Sequence, residues 1–178
     1  MRPSSIRLTI STANGQRLAE VVAEAGPLIA FGRIRWLDLL PKVLGMVLVP
    51  DTVVQECLAD QLKPGARDVA AALRSGLLSH VSDPDASEPA FVVLDAGESA
   101  AIGLAVQRSA ALLIDEKLGL RIAANLGVAV IGSAGVLLAA KRRGLFNAVG
   151  PIVDAFMANG YRFSEGLVRV VLVRAGEV

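Results

Sequence analysis

Four short apolar runs constrain this chain more than any other feature: Leu18–Ala23, Met46–Val49, Ala111–Ile114 and Val128–Ile131. Each reads as a brief buried strand, and Leu77–Val81 is a further candidate. Between the runs lie segments of about ten residues with helical spacing of apolar positions. Short apolar strands alternating with helices are the pattern of a parallel α/β sheet.

The boundaries follow from punctuation residues. The first run ends at Glu24, where Ala25-Gly26-Pro27 breaks the strand and opens a helix with Pro27 in its first turn. Trp36, Leu37, Leu39, Leu40, Val43 and Leu44 recur near helical spacing. Pro50 closes the second strand, and Asp51 and Thr52 are placed to cap the helix carrying Val53, Val54, Cys57 and Leu58. Pro64-Gly65 precedes a helix over Ala66–Leu73, and Ser82–Pro89 is the clearest loop. Further helices are expected over Gly97–Arg108, Glu116–Leu126, Ser133–Arg143, Pro151–Ala158 and Glu165–Arg174. Residues 1–17 read as an appendage in which Ile6, Leu8 and Ile10 suggest an edge strand, and 18–178 as the main domain.

No residue from Ile122 to Ala140 is charged, which approaches the length of a membrane span. Asn125, Gly127, Gly132, Ser133 and Gly135 interrupt it, so it is expected to be the end of a helix, a strand, a turn and a new helix. The first fifteen residues lack the apolar core of a secretory leader. A cytoplasmic protein without membrane contact is therefore expected.

The chemistry is narrowed by what is scarce. One cysteine, Cys57, excludes an internal disulfide and a thiolate zinc site, and one histidine, His80, excludes a multi-histidine metal site. Seven aromatic residues are too few for a base-stacking platform, and a net charge of +1 gives no global field for nucleic acid. The basic residues are mostly arginine, which suits local contacts to phosphate. Carboxylates remain as the means of chemistry.

Ligands of open parallel sheets collect at the carboxyl ends of the strands. Glu24 and Asp115 stand directly after two strand candidates, Glu56 lies in the helix after the second strand, and Glu98 opens the helix after the Asp/Pro loop. Four carboxylates converging without cationic partners would repel unless a divalent cation sat among them, and oxygen-only ligands suit Mg²⁺ or Mn²⁺. Each acid also has an ordinary reading. Asp95-x-x-Glu98 fits a capping box, Asp115 fits an N-cap, and Glu56 fits a solvated helix face. Lys141-Arg142-Arg143 fits a helix C-terminus, Ser133 fits a helix cap, and Cys57 fits a packed small residue.

Val22-Ala23-Glu24-Ala25-Gly26-Pro27-Leu28-Ile29-Ala30 resembles the opening motif of PIN-domain proteins, and Val49–Glu56 resembles their second acidic motif. Leu94–Ala101 resembles the "L-x-x-G-E-x-x-A" of a prokaryotic, VapC-like branch, and Leu112–Glu116 the fourth acidic motif. Arg121-Ile122-Ala123, Gly127–Leu138 and Ala140–Gly144 resemble segments of the same branch, so the likeness spans about Val21 to Glu177. It implies an open parallel sheet with helices on both faces and Mg²⁺- or Mn²⁺-dependent endoribonuclease activity. It also implies a metal site of Glu24, Glu56, Glu98 and Asp115, with Arg121, Arg142 and Arg143 as RNA contacts. A small antitoxin partner and a homodimer are further implications. The alternative is a PIN-fold binding protein of impaired catalysis, because Glu24 stands where the family usually has Asp, and Ala25-Gly26 where Ser or Thr is common.

Overall fold

A computed structural model describes residues 20–60, 62–85 and 93–178. The expected appendage, with Ile6, Leu8 and Ile10, and the end of the Ser82–Pro89 loop lie outside the described residues. Strands β1 (Glu20–Ala23), β2 (Met46–Pro50), β3 (Ser79–Val81), β4 (Ala111–Leu113) and β5 (Val130–Ile131) form one sheet. Its order is β3-β2-β1-β4-β5, and all the pairings are parallel. Val22 pairs with Leu48 on one side and Leu112 on the other, so β1 is the central strand. Val21, Val22, Val47, Leu48, Leu112 and Leu113 are all buried, which is why these strands read as continuous apolar runs rather than alternations.

Helices flank the sheet: α1 (Ala25–Arg33), α2 (Leu39–Leu44), α3 (Asp51–Leu58), α4 (Ala66–Arg74), α5 (Ala96–Arg108), α6 (Lys117–Asn125), α7 (Ser133–Arg142), α8 (Gly150–Ala158) and α9 (Glu165–Ala175). Helix α5 packs across β1, β2 and β4 and against α3, while α2, α7 and α9 pack in succession. The interruption of the uncharged stretch is as expected: it holds the end of α6, β5 and most of α7. Among the described residues no helix is long and apolar enough to cross a membrane.

Three local expectations are corrected. Trp36 and Leu37 lie in the connection before the helix, and α2 begins only at Leu39. Asp51 and Thr52 do not cap α3; Pro50 holds the cap position without a side-chain bond. Their side chains reach β3 and its exit instead. Asp51 Oδ1 is 2.6 Å from His80 Nε2, and Thr52 donates from its N–H and hydroxyl to Asp83 at 2.9 and 2.6 Å. Ser133 is the first residue of α7 rather than its cap, a position taken by Gly132.

The last two helices are secured by one carboxylate. Glu177 accepts from the N–H groups of Val149 and Gly150 at 2.7 and 2.9 Å, at the start of α8, and from Lys141 Nζ at 2.7 Å. It thereby satisfies backbone donors that the first turn of α8 leaves without helical partners.

Candidate active site

The chain runs outward from β1 to β2 and β3, then returns to place β4 on the other side of β1. This reversal opens a crevice beyond the carboxyl ends of β1 and β4, the place where open α/β sheets bind ligands. Glu24 follows β1 directly, and its N–H donates to Leu113 O at 3.0 Å, at the end of β4. Asp115 is two residues beyond that strand. Glu56 comes from α3, after β2, and Glu98 from the first turn of α5, which crosses β1, β2 and β4.

Glu24 is only 8% exposed, and burial pushes its carboxyl up to about 7. The Gly26 N–H opposes that shift, while Glu56, Asp115 and Glu98 all add to it. Three sequence-distant acids thus bear on one buried carboxyl. Glu56 and Glu98 are also raised, chiefly by partial loss of hydration and by the Asp95 charge.

Three of the four carboxylates, those of Glu24, Glu98 and Asp115, already have hydrogen-bond partners. Glu24 caps α1, accepting from the Gly26 N–H at 2.9 Å, so its longer side chain folds back over the first turn. Glu98 closes a capping box with Asp95, through bonds of 2.7 and 3.3 Å. Asp115 does not cap α6; Glu116 does, through the N–H groups of Leu118 and Gly119. Asp115 instead reaches β5's exit, where Ser133 donates from its N–H to Oδ1 at 2.7 Å and from its hydroxyl to Oδ2 at 2.6 Å. Among the described residues no group of three or more His, Cys, Asp or Glu side chains is arranged to hold a metal ion. These local bonds supply the reason for Glu24, Glu98 and Asp115: their oxygens are turned to backbone and hydroxyl donors.

Glycines make room for the acids. A Cβ on Gly97 would lie 2.0 Å from Glu56 Oε2, and one on Gly132 would lie 2.9 Å from Asp115 Oδ1. A Cβ on Gly26 would stand 3.0 Å from Glu24 Oε2, and one on Gly119 would stand 3.4 Å from Glu98 Oε1. Every acid in the set lies against a glycine backbone, two of them closer than a side chain permits.

The arginines are placed differently. Arg121 is exposed on α6, two residues beyond Gly119 and so off the helix face that meets Glu98. Arg142 and Arg143 are not brought to the acids. They follow Ser133 by nine and ten residues, about 14 Å along a helix. Arg143 donates at 2.8 Å to the carbonyl of Lys42, in the last turn of α2 before β2 begins, at the opposite edge of the sheet. Arg142 lines a groove with Lys141, Arg174, Leu138 and Ala175. Cys57 is buried, and burial with the Glu56 and Glu24 charges pushes its thiol up to about 12, which suits packing and not nucleophilic attack.

One residue beside the site was not singled out from the sequence. Tyr161, the only tyrosine, is close enough to the site for the Asp115 charge to act on its hydroxyl. Burial, and then the Asp115 charge, hold that hydroxyl above the ordinary phenol range. No local motif could have shown it, because 46 positions separate it from Asp115.

Comparison with protein-family models decides the affiliation: the PIN-domain model matches residues 20–177. The chain belongs to the PIN-domain family. PIN domains are generally nucleases that act on RNA, and their hydrolysis typically uses divalent metals. No curated protein matches the chain.

Proposed function

We propose that this PIN domain is a Mg²⁺- or Mn²⁺-dependent endoribonuclease whose site is Glu24, Glu56, Glu98 and Asp115. The observation that carries this reading is the convergence of three acids, from three other elements, on the buried Glu24 at the strand-order reversal. The fit to a divalent cation is chemical: the donors are oxygen-only and anionic, and they repel one another. A cation held there would activate water for in-line attack and stabilise charge developing on the phosphodiester.

The protein's own part is arrangement. Ser133 fixes the Asp115 carboxylate through both oxygens. Burial and the neighbouring acids raise the Glu24 carboxyl to about 7, and a cation among the acids would favour its ionised form. Glu56 is exposed at the mouth and lines an open depression with Thr52, Gln55, Asp95 and Gly97, which gives a phosphodiester access. Arg121, exposed on α6, is kept as an RNA contact on the motif resemblance.

The biological setting we propose is the toxin of a cytoplasmic, VapC-like toxin–antitoxin pair. It rests on the motif resemblance. A homodimer accords with the exposed apolar stripe of Leu167, Val170 and Val173 on α9.

A second reading, a binding protein of impaired catalysis, is favoured by one observation: Glu24 is engaged in capping α1, and among the described residues no three acids are arranged to hold a metal ion. A single experiment separates the two. Calorimetric titration of Mn²⁺, and cleavage of single-stranded RNA, are compared for wild type and Asp115→Asn. The nuclease reading expects wild type to bind and cleave, and Asp115→Asn to lose both. Equal behaviour of the two proteins would overturn the site, and absence of binding and cleavage in wild type would favour the binding protein.

A further inference from the structure

Asp83 stands just beyond β3, in the Asp- and Pro-rich loop, and is not one of the four acids. The parallel register of β2 and β3 sets its place. Pro50 pairs with Val81, so Thr52 and Asp83, each two residues further on, fall side by side. Thr52 donates from its N–H to Asp83 Oδ1 at 2.9 Å and from its hydroxyl to Asp83 Oδ2 at 2.6 Å. A second tie lies next to it, where His80 of β3 meets Asp51, the first residue of α3, at 2.6 Å. The start of α3 is thus fastened to the exit of the edge strand, in place of the side-chain cap that Pro50 cannot supply.

The same clasp occurs on the other side of the sheet. Leu113 pairs with Ile131, and Asp115 and Ser133, again two residues beyond, share the same two bonds, N–H to Oδ1 and hydroxyl to Oδ2. There the carboxylate follows the inner strand, β4, and is one of the four acids. Beside β2 the roles are exchanged. The hydroxyl residue follows the inner strand and the carboxylate follows the edge strand, so Asp83 bears on the site through α3. That helix has eight residues and buries only Val53 and Cys57, which leaves its slide and rotation to be set largely at its start. Glu56 follows Thr52 by four residues, about one turn, so the two share a face, and both line the depression at the mouth of the site.

We infer that Asp83 is a positioning residue for the candidate site: its clasp on Thr52 sets the start of α3 and thereby aims the Glu56 carboxylate. This rests on the four-acid reading. A carboxylate at a helix N-terminus also meets the positive end of the helix dipole, so the clasp steadies the fold as well. Its consequence for the site is distinct, because partners that orient metal ligands typically govern metal affinity by about 10-fold or more.

The test is Mn²⁺ titration of wild type, Asp83→Ala, Thr52→Val, Thr52→Ser, Glu56→Ala and the double variant Asp83→Ala/Glu56→Ala, well below the melting temperature of each, with thermal melts alongside. Asp83→Ala should lower the melting temperature, which a purely structural role also expects. Only the positioning role expects the Mn²⁺ affinity of the folded protein to fall about 10-fold as well. Thr52→Val loses the hydroxyl bond and keeps the N–H, so it should weaken binding in the same sense, and it carries the test should Asp83→Ala not fold. Thr52→Ser keeps both donors and should match wild type. In the Glu56→Ala background Asp83→Ala should leave the residual affinity unchanged, since the carboxylate it acts through is gone. Wild-type affinity in Asp83→Ala and Thr52→Val, beside a weakened Glu56→Ala, would overturn the positioning role alone. An equal loss with and without Glu56 would also overturn it, by showing that Asp83 acts elsewhere. Wild-type affinity in Glu56→Ala would overturn the four-acid reading and the positioning role with it.

Discussion

Gly97→Ala tests whether the glycine frame around the acids serves function or folding. The added Cβ would stand 2.0 Å from Glu56 Oε2 and 3.3 Å from Glu56 Cδ. An ordinary carbon–oxygen approach is about 3.3 Å, so the Glu56 carboxylate must retreat by roughly 1 Å. It can do so, because Glu56 is exposed and its carboxylate is the free end of a flexible side chain. Gly97 sits in the first turn of α5, where alanine is the better helix former by up to about 1 kcal/mol. Stability and function should therefore move in opposite directions. Thermal unfolding should be unchanged or slightly raised, whereas RNA cleavage should fall by about 10- to 100-fold, as expected for a ligand displaced by roughly an ångström. Mn²⁺ affinity should fall too. In a Glu56→Ala background the same substitution should leave binding and cleavage where Glu56→Ala alone put them. Unchanged cleavage in Gly97→Ala would show that the position of Glu56 does not matter, and a marked loss of stability would show that the glycine serves packing.

Two further predictions concern pH. Glu24 has its carboxyl raised from 4.5 to about 7, so between those values the unfolded chain is ionised there while the folded chain holds a proton. Stability without metal should therefore fall as pH rises through that window, by up to about 3 kcal/mol at roughly 1.4 kcal/mol per unit. Glu24→Gln should abolish this slope, matching wild type near pH 4.5 and exceeding it above about 7, with Mn²⁺ narrowing the gap; parallel melting curves for the two proteins across the window would refute it. Glu177 works in the opposite sense: Lys141 and the N–H groups of Val149 and Gly150 lower its carboxyl to about 2. Its contribution should be complete above about 4.5 and lost as pH falls towards 2, and Glu177→Gln should flatten that acid limb in pH-dependent melts.

The order of elements was legible in the chain because β1, β2 and β4 are apolar runs buried in the sheet and most helices start at a Gly, Pro or Asp signal. Glu24, Glu56, Glu98 and Asp115 could be picked out for the same reason: two follow strands directly, and the other two belong to helices set by Pro50 and Asp95. What each acid does locally was only half legible. The Asp95–Glu98 capping box is a short-range pattern and was readable as such. The partner of Asp115 was not, since Ser133 comes from beyond β5, eighteen positions on, and meets it only because β4 and β5 pair in parallel. The separation of Arg142 and Arg143 from the acids follows likewise from the run of α7 back across the sheet, which makes a basic cluster close in sequence to Ser133 remote in space. Sequence by itself determined which segments become strands and helices, because burial period and capping are local properties. Tertiary structure alone decided which side chains share the crevice, since the order β3-β2-β1-β4-β5 and the Thr52–Asp83 clasp depend on contacts between distant parts of the chain.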